Sequence, residues 1–263
     1  MEVSEKAIVN LFLMQMAKIE PYRKDAIWLR EQENMPPLNK MVAIVDAMEA
    51  DDKDALYQVQ KWLYRSPLVS AMLPMAFYKQ SARLLGCEVG DLLVDGPALF
   101  VNQPGAQRLL YKWHTEALYY PKRRRFLNVW FPIFVNKRDQ SNGTMAFKPK
   151  SHKRVWDASL MSEYTGYNKD TENKKNHFVQ YELPANFLTE YDTHHCVSEK
   201  GDVIFFDRNL VHTSMPNVSK DMAFAIVCRV WTPEDDLTLS GNMECQPYGG
   251  NQGRANLIVR PPE

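Results

Sequence analysis

The chain has 263 residues, 45% of them hydrophobic and 11% aromatic, which is enough to bury a large core in one globular unit. Its 32 Lys and Arg residues equal its 32 Asp and Glu residues in number. This balance excludes an overall field that would draw the protein to nucleic acid or to an anionic membrane surface, and we expect neither as a partner.

The cysteines are widely spaced and include no Cys-x-x-Cys pair: Cys87, Cys196, Cys228 and Cys245. This pattern argues against a thiolate zinc site or a disulfide framework and is typical of a reducing compartment. The apolar segment 7–17 follows acidic rather than basic residues and lacks a small-residue cleavage site, which favours a buried first helix over a signal peptide. We therefore expect a cytoplasmic protein without a membrane segment.

The first third of the chain, residues 1–88, is predicted to be mostly helical. Apolar residues recur at helical spacing over residues 5–33. A second helix is expected to end near Tyr64, and a third starts at Ser66, with the following proline at its first position, and ends at Gly86. These helices are expected to support a sheet formed by the rest of the chain.

The pattern changes near residue 90, where short strand-like runs separated by turn signals begin. The predicted strands are 92–94, 98–101, 108–120, 128–135, 144–147, 177–183, 203–207 and 223–231. Many short strands with few helices predict a β-sandwich or jelly roll over residues 89–235. The polar segment 166–176 is predicted to be a lid-like loop, and residues 236–263 an extended tail of the same single domain.

One short stretch carries the first chemical signal. His114 and Glu116 are two residues apart, so on a strand their side chains leave the same face. An imidazole and a carboxylate on one face can hold two adjacent positions on a divalent metal ion. His212, far downstream, is a candidate third ligand, and two histidines with one carboxylate form the usual site of non-haem Fe(II) oxygenases.

Three sequence blocks extend this signal, in a fixed order along the chain. They are Trp113-His114-Thr115-Glu116 with Trp130-Phe131-Pro132; Asn142-Gly143-Thr144 with Pro149-Lys150-Ser151-His152-Lys153; and Gly201-Asp202 through His212-Thr213-Ser214. Together they resemble the blocks of the phytanoyl-CoA dioxygenase-like Fe(II)/2-oxoglutarate oxygenases, in the branch that has Glu rather than Asp in the His-x-acid pair. The resemblance covers residues 95–232.

The resemblance implies a double-stranded β-helix (a cupin-like jelly roll) in which His114, Glu116 and His212 bind Fe(II). It also implies 2-oxoglutarate and O2 as co-substrates, with release of succinate and CO2 as an unactivated C–H bond of a small molecule is oxidised. Halogenating relatives have a small residue at the position of Glu116. The carboxylate here therefore favours hydroxylation or another oxidation.

The chain departs from the family at the cation that binds the far carboxylate of 2-oxoglutarate. The usual arginine falls at Ala223, eleven residues after His212. Arg229 lies on the same face of the predicted strand but about 20 Å further along it, and a surface ion pair is its alternative role. Arg125 is a second candidate, because arginine suits a planar carboxylate.

Two other residues match co-substrate contacts of the family. Trp130 stands where the family has a tryptophan that flanks 2-oxoglutarate, although an aromatic residue in an apolar run also suits core packing. Ser214 can donate a hydrogen bond to a carboxylate, or can simply form the turn that follows.

Two basic clusters, residues 122–125 and 148–154, border the expected mouth of the barrel. Two interpretations are open: the clusters bind an anionic substrate, or they form a solvated charged surface. The missing arginine at position 223 also leaves two alternatives to an oxygenase: a cupin-like metal- or carbohydrate-binding protein, and a metalloenzyme independent of 2-oxoglutarate. The sequence indicates neither the substrate nor an oligomeric state.

Overall fold

The computed structural model describes residues 4–51, 53–64, 66–105, 110–120, 122–137, 141–156, 162–165, 179–235 and 256–258. The α-helices within these ranges are α1 Glu5–Met16, α2 Arg23–Glu31, α3 Pro37–Asp51, α4 Lys53–Tyr64, α5 Pro67–Ala71, α6 Met75–Leu85 and α7 Ala185–Leu188. None of the described helices is long and apolar enough to cross a membrane.

The helix ends follow local sequence signals. Ser4 caps α1, its side-chain oxygen accepting a hydrogen bond from the Ala7 amide at 3.3 Å. Gly86 ends α6 in the left-handed conformation (φ 69°), as the sequence predicted. The prediction for residues 5–33 was wrong in one respect, because the first helix stops at Met16 and a separate helix begins at Arg23.

In the described part of the chain, ten strands form three antiparallel sheets. They are β1 Leu93–Asn102, β2 Leu127–Ile133, β3 Met145–Phe147, β4 Ser162–Thr165, β5 Val179–Glu182, β6 His194–His195, β7 Ile204–Asp207, β8 His212–Ser214, β9 Ala223–Trp231 and β10 Asn256–Ile258. The main sheet has the order β10-β1-β9-β2-β7, the second sheet β6-β3-β8, and the third pairs β4 with β5. An isolated bridge between His114 and His212 places the segment before Glu116 beside β8.

The two faces of the main sheet have different partners. Along β2 and β9, alternate residues such as Val129, Phe131 and Ile226 are buried in one large core with the helices α1–α6. The intervening residues, including Trp130 and Ala225, pack instead against Met145 of the second sheet and its neighbours. This two-residue alternation gives a jelly roll with a helical layer on its outer face, which confirms the predicted fold class.

Three features differ from the predicted elements or lie beyond them. Residues 110–120 are not a regular strand: His114 makes only a bridge, and Glu116–Leu118 form a turn of 3-10 helix. In the tail, Asn256–Ile258 pairs with β1 at the edge of the main sheet. The predicted lid, residues 166–176, lies outside the described residues.

Candidate metal centre

His114, Glu116 and His212 meet at one end of the jelly roll. One potential ligand atom from each side chain lies within 4.8 Å of the others, and all three residues are buried. The backbones of His114 and His212 exchange two hydrogen bonds of 3.0 Å, so the two residues are directly opposite and share a face. Their ring centroids are consequently 4.2 Å apart.

Backbone carbonyls orient both imidazole rings. The Nδ1 atom of His114 lies 2.6 Å from the Lys112 carbonyl oxygen, and that of His212 lies 2.9 Å from the Leu210 carbonyl oxygen. A carbonyl oxygen only accepts, so each Nδ1 carries the proton and donates it. The Nε2 atoms are thereby left as lone-pair donors, which is how a protein prepares histidine for a metal ion.

The carboxylate of Glu116 completes the cluster. Its Oε1 lies 3.5 Å from Nε2 of His114 and 3.8 Å from Nε2 of His212. Its Oε2 accepts two hydrogen bonds from Arg229, at 3.0 Å from Nε and 2.8 Å from Nη2. The guanidinium therefore occupies one carboxylate oxygen and leaves Oε1 facing the two imidazoles.

The protonation states suit a metal site. Burial alone would raise the pKa of Glu116, but the Arg229 guanidinium and the neighbouring His114 and His212 outweigh it and hold the pKa of this carboxyl well below its usual range. Burial, with His114 beside it, lowers the pKa of His212 to about 3. An ionised carboxylate and a neutral imidazole are the forms that bind metal.

The donor set fits Fe(II). Two imidazole nitrogens and one carboxylate oxygen converge from neighbouring segments, and no further His, Cys, Asp or Glu among the described residues joins them. Three protein ligands of this kind leave coordination positions for small molecules, whereas a closed four-residue set is typical of structural zinc. The arrangement therefore suits redox or oxygen chemistry at the metal.

Two of the other predicted site residues lie on inner faces of the jelly roll. Trp130 is buried in an apolar cluster with Met145, Phe147 and Phe206. Ser214 lies two residues after His212 on β8, and its amide donates to the Tyr111 carbonyl oxygen at 2.9 Å. A contact of either with a co-substrate stays a prediction.

The two candidate arginines, Arg229 and Arg125, lie in different surroundings. β9 is a continuous strand, so Ala223 and Arg229 lie at its opposite ends, and Arg229 makes a buried ion pair with Glu116 rather than a surface one. Arg125 has an exposed side chain (54%) and lies 3.3 Å from Asp235, away from the contacts of the cluster. Only Arg229 of the two predicted cations therefore touches the candidate metal centre.

Each of the two basic clusters contains one residue that is held in buried structural contacts. Arg123 is buried, with its guanidinium 3.5 Å from the centre of the Trp231 ring and 3.3 Å from Asp95. Lys148 is also buried and donates to the Tyr191 carbonyl oxygen at 2.9 Å and the Thr193 hydroxyl at 2.8 Å. The interpretation of both clusters as solvated surface was wrong for these two residues.

One polar residue near the site was missed by the sequence reasoning. Asn128 is buried on β2, directly opposite Arg229 on β9. Its signal was available, because it is the polar residue in the apolar run 127–135 and lies two residues before Trp130. Its side chain has no hydrogen-bond partner among the described residues.

A jelly roll with a buried two-histidine, one-carboxylate cluster defines the class: a cupin-like metalloprotein. Within that class, the chain belongs to the phytanoyl-CoA dioxygenase (PhyH) family, whose profile matches residues 18–225. A curated relative, the peroxisomal phytanoyl-CoA dioxygenase of Mus musculus, is 24% identical over 207 residues, which are 76% of this chain and 52% of that one. The chain thus spans about half the length of this relative.

Solved structures of similar fold include a non-heme monooxygenase and a protein complexed with 2-oxoglutarate. The apo form of the non-heme monooxygenase ThoJ is 19% identical, with a TM-score of 0.50 over 72% of this chain and 65% of that one. EvdO2 of Micromonospora carbonacea var. aurantiaca complexed with 2-oxoglutarate is 16% identical, with a TM-score of 0.46 over 68% and 64% of the two chains. At these identities the likeness concerns the fold alone.

Proposed function

We propose that this protein is a non-haem Fe(II)- and 2-oxoglutarate-dependent oxygenase that hydroxylates an unactivated C–H bond of a small molecule. The observation that carries the proposal is the convergence of two Nε2 atoms and Oε1 of Glu116 within 4.8 Å of one another. Membership of the PhyH family and the carboxylate at position 116 support an oxidation of this kind. The proposed ligands are His114, Glu116 and His212.

Bound iron would supply the oxidising chemistry, with 2-oxoglutarate as the source of two electrons and O2 as the oxidant. The chain's own residues prepare the site. The Lys112 and Leu210 carbonyls fix the imidazole tautomers, and Arg229 keeps Glu116 ionised and turned towards the histidines. The surrounding aromatic rings, among them Tyr119 at 5.7 Å from the His114 ring, limit the access of water.

The net charge of the buried site favours the binding of a dianionic co-substrate once a divalent metal ion is bound. Glu116 and Arg229 cancel each other, so a divalent ion adds two positive charges to a buried site. A dicarboxylate brings the two negative charges that restore neutrality, and buried uncompensated charge is costly. Of the predicted 2-oxoglutarate contacts, we therefore retain Arg229, with Trp130 and Ser214 along the inner faces, and we do not retain Arg125.

Anaerobic titration tests the proposal. Adding Fe(II) and then 2-oxoglutarate to the purified protein is expected to produce the visible metal-to-ligand absorption band of the chelate, and admission of air should release succinate. His114→Ala and His212→Ala should abolish both signals, whereas His194→Ala, on the exposed side of β6, should leave them unchanged.

A metal-binding protein or a metalloenzyme independent of 2-oxoglutarate is the competing function, favoured by the alanine at position 223. In that case Fe(II) would bind to the wild-type protein, but 2-oxoglutarate would produce neither the band nor succinate. The titration therefore separates the two functions with one sample.

A further inference from the structure

The side chain of Asn128 is an unusual feature of the inner face of the main sheet. The residue is 1% exposed, and neither its amide nitrogen nor its amide oxygen has a hydrogen-bond partner among the described residues. A buried polar group left without partners costs about 1–3 kcal/mol, so most native structures pair such groups with protein, water or ligand. The amide at this position therefore needs a partner other than the described residues of the chain.

The strand register places this amide beside the metal centre. Asn128 lies opposite Arg229 on one neighbouring strand and opposite Phe206 on the other. Directly opposite residues share a face of the sheet, with Cβ atoms about 5 Å apart. Arg229 donates to Glu116, and the Phe206 ring centroid lies 4.9 Å from that of His212. Asn128 is thus flanked by two side chains that each contact a proposed iron ligand.

The rest of the inner face offers few polar groups of this kind. On β9, the residues that alternate with the helix-facing ones are Ala223, Ala225, Val227, Arg229 and Trp231, and Arg229 is the charged one among them. On β2, the neighbouring inward residue is Trp130. Polar groups on these two strands are consequently concentrated at Asn128 and Arg229, at the metal end, rather than at position 223.

We propose that Asn128 binds a carboxylate of the 2-oxo acid co-substrate, its amide group donating a hydrogen bond to a carboxylate oxygen. The inference rests on the proposed function and deepens it. An amide donor satisfies both partners, because the carboxylate gains a hydrogen bond and the buried N–H group no longer lacks one. The favourable charge would come from the divalent ion, because the adjacent Arg229 guanidinium is already paired with Glu116.

Binding of 2-oxoglutarate to the anaerobic Fe(II)-loaded protein, followed by the absorption band of the chelate, is the first measurement. Asn128→Leu, which keeps the approximate volume, is expected to weaken 2-oxoglutarate binding at least tenfold and to leave Fe(II) affinity unchanged. Asn128→Ala, which removes the amide without adding bulk, should give the same loss. Wild-type affinity for 2-oxoglutarate in both variants would overturn the proposal while leaving the oxygenase function standing.

Thermal unfolding of the metal-free protein distinguishes a ligand contact from a structural role. An amide that waits for a ligand contributes nothing to the empty fold, so Asn128→Leu should keep or raise the Tm. The matched control is Asn217, a buried asparagine whose amide nitrogen donates to the Asn102 and Asp221 carbonyl oxygens at 2.8 Å each. Asn217→Leu should lower the Tm, and an equal fall in Asn128→Leu would overturn the proposal.

A second keto acid tells which carboxylate Asn128 contacts. 2-Oxobutyrate has the metal-chelating keto acid group but lacks the far carboxylate. If Asn128 contacts the far carboxylate, Asn128→Leu should weaken 2-oxoglutarate binding and leave 2-oxobutyrate binding unchanged. If it contacts the carboxylate next to the keto group, both acids should bind more weakly. A wild type without any band would instead count against the oxygenase function itself.

Discussion

The carboxylate of Glu116 has two partners at once, the candidate metal position and Arg229. Breaking a buried ion pair by removing one partner typically costs about 3–5 kcal/mol, because the other charge is left uncompensated. Arg229→Leu is therefore expected to lower the free energy of unfolding of the metal-free protein by about 3 kcal/mol. Added Mn(II) should stabilise this variant more than the wild type, because the ion then replaces the missing positive charge.

Chemical denaturation with and without Mn(II) checks this prediction. The matched control is Arg125→Leu, which breaks an exposed arginine–carboxylate pair with Asp235 and should change stability by less than about 1 kcal/mol. Equal stability of the Arg229 and Arg125 variants would contradict the buried-pair argument.

Another buried charged residue, Lys137, lies at the other end of the jelly roll. Lys137 is 1% exposed, and its Nζ donates to the carbonyl oxygens of Asn142 at 2.6 Å and Gly143 at 3.1 Å. Burial lowers the pKa of Lys137 to about 7, whereas an unfolded lysine titrates near 10.4. Between these values the unfolded chain binds a proton that the folded chain does not, so the contribution of this group to stability rises with pH.

Lys137→Met should remove that dependence. The difference in unfolding free energy between wild type and variant is expected to increase from pH 7 to pH 9, by up to about 1.4 kcal/mol per pH unit. The loss of the two hydrogen bonds adds a cost that does not change with pH. If the unfolding free energies of the two proteins changed with pH in the same way, the ammonium group would have to stay charged in the folded state.

At the scale of single residues, the sequence predicted three side chains that the structure brings together, but not their surroundings. His114, Glu116 and His212 were selected because their spacing and order match a family pattern. The contact between Glu116 and Arg229 could not be predicted, because it depends on the register of β9 against the segment that contains Glu116. Asn128 was overlooked although it is the polar residue of an apolar run, and its lack of hydrogen-bond partners could be recognised only from the neighbouring strands.

At the scale of elements, the connection between β2 and β3 holds a tight turn that tolerates no side chain. Gly143 has φ 72°, and a Cβ atom there would lie 2.0 Å from Nδ2 of Asn102. Asn102 donates from that nitrogen to the carbonyl oxygens of Gly143 and Met215, at 3.3 Å each. The turn, β1 and the segment after β8 are therefore fixed together.

Gly143→Ala is expected to destabilise the protein by several kcal/mol, because it adds a steric clash and lost hydrogen bonds to a backbone cost of about 1 kcal/mol. Gly105→Ala isolates the backbone cost. Gly105 has φ 68°, but no atom of the described residues lies within 4 Å of an added Cβ, so about 1 kcal/mol is expected there. Thermal unfolding of both variants measures the difference, and equal losses would refute the clash.

Helix prediction used some local signals correctly and overlooked others. The end of α6 at Gly86 is a local signal, because a glycine there adopts a positive φ. Helix α3 was not predicted, although Met41, Ile44, Val45 and Met48 recur at helical spacing and are fully buried. The first predicted helical stretch ended at residue 33, before the prolines, whereas Pro37 is in fact the first residue of α3.

At the scale of the whole molecule, the helical layer covers the outer face of the main sheet. Residues on that face, among them Val129, Phe131 and Phe224, are at most 2% exposed. Burying each such side chain contributes about 1.5–3 kcal/mol, so exposing several would cancel a typical net stability of 5–15 kcal/mol.

A shortened chain that begins at residue 89 should therefore be insoluble. Co-expression of residues 1–88 as a separate chain should restore soluble protein if the helices act by covering this face. The measurement is the soluble fraction of each preparation, with dye binding to exposed apolar surface. A soluble, metal-binding 89–263 chain would show that the jelly roll is stable without its helical layer.

The ion pair between Glu116 and Arg229 also connects the two layers of the jelly roll, since Glu116 follows the segment beside β8 and Arg229 belongs to the main sheet. An ion held by Glu116 and the histidines would act at the same rim as a reversible, non-covalent cross-link. Cellular iron supply would then set how freely this rim opens as well as how many molecules can react. Amide hydrogen exchange along β8 and the end of β9 should slow as iron occupancy rises.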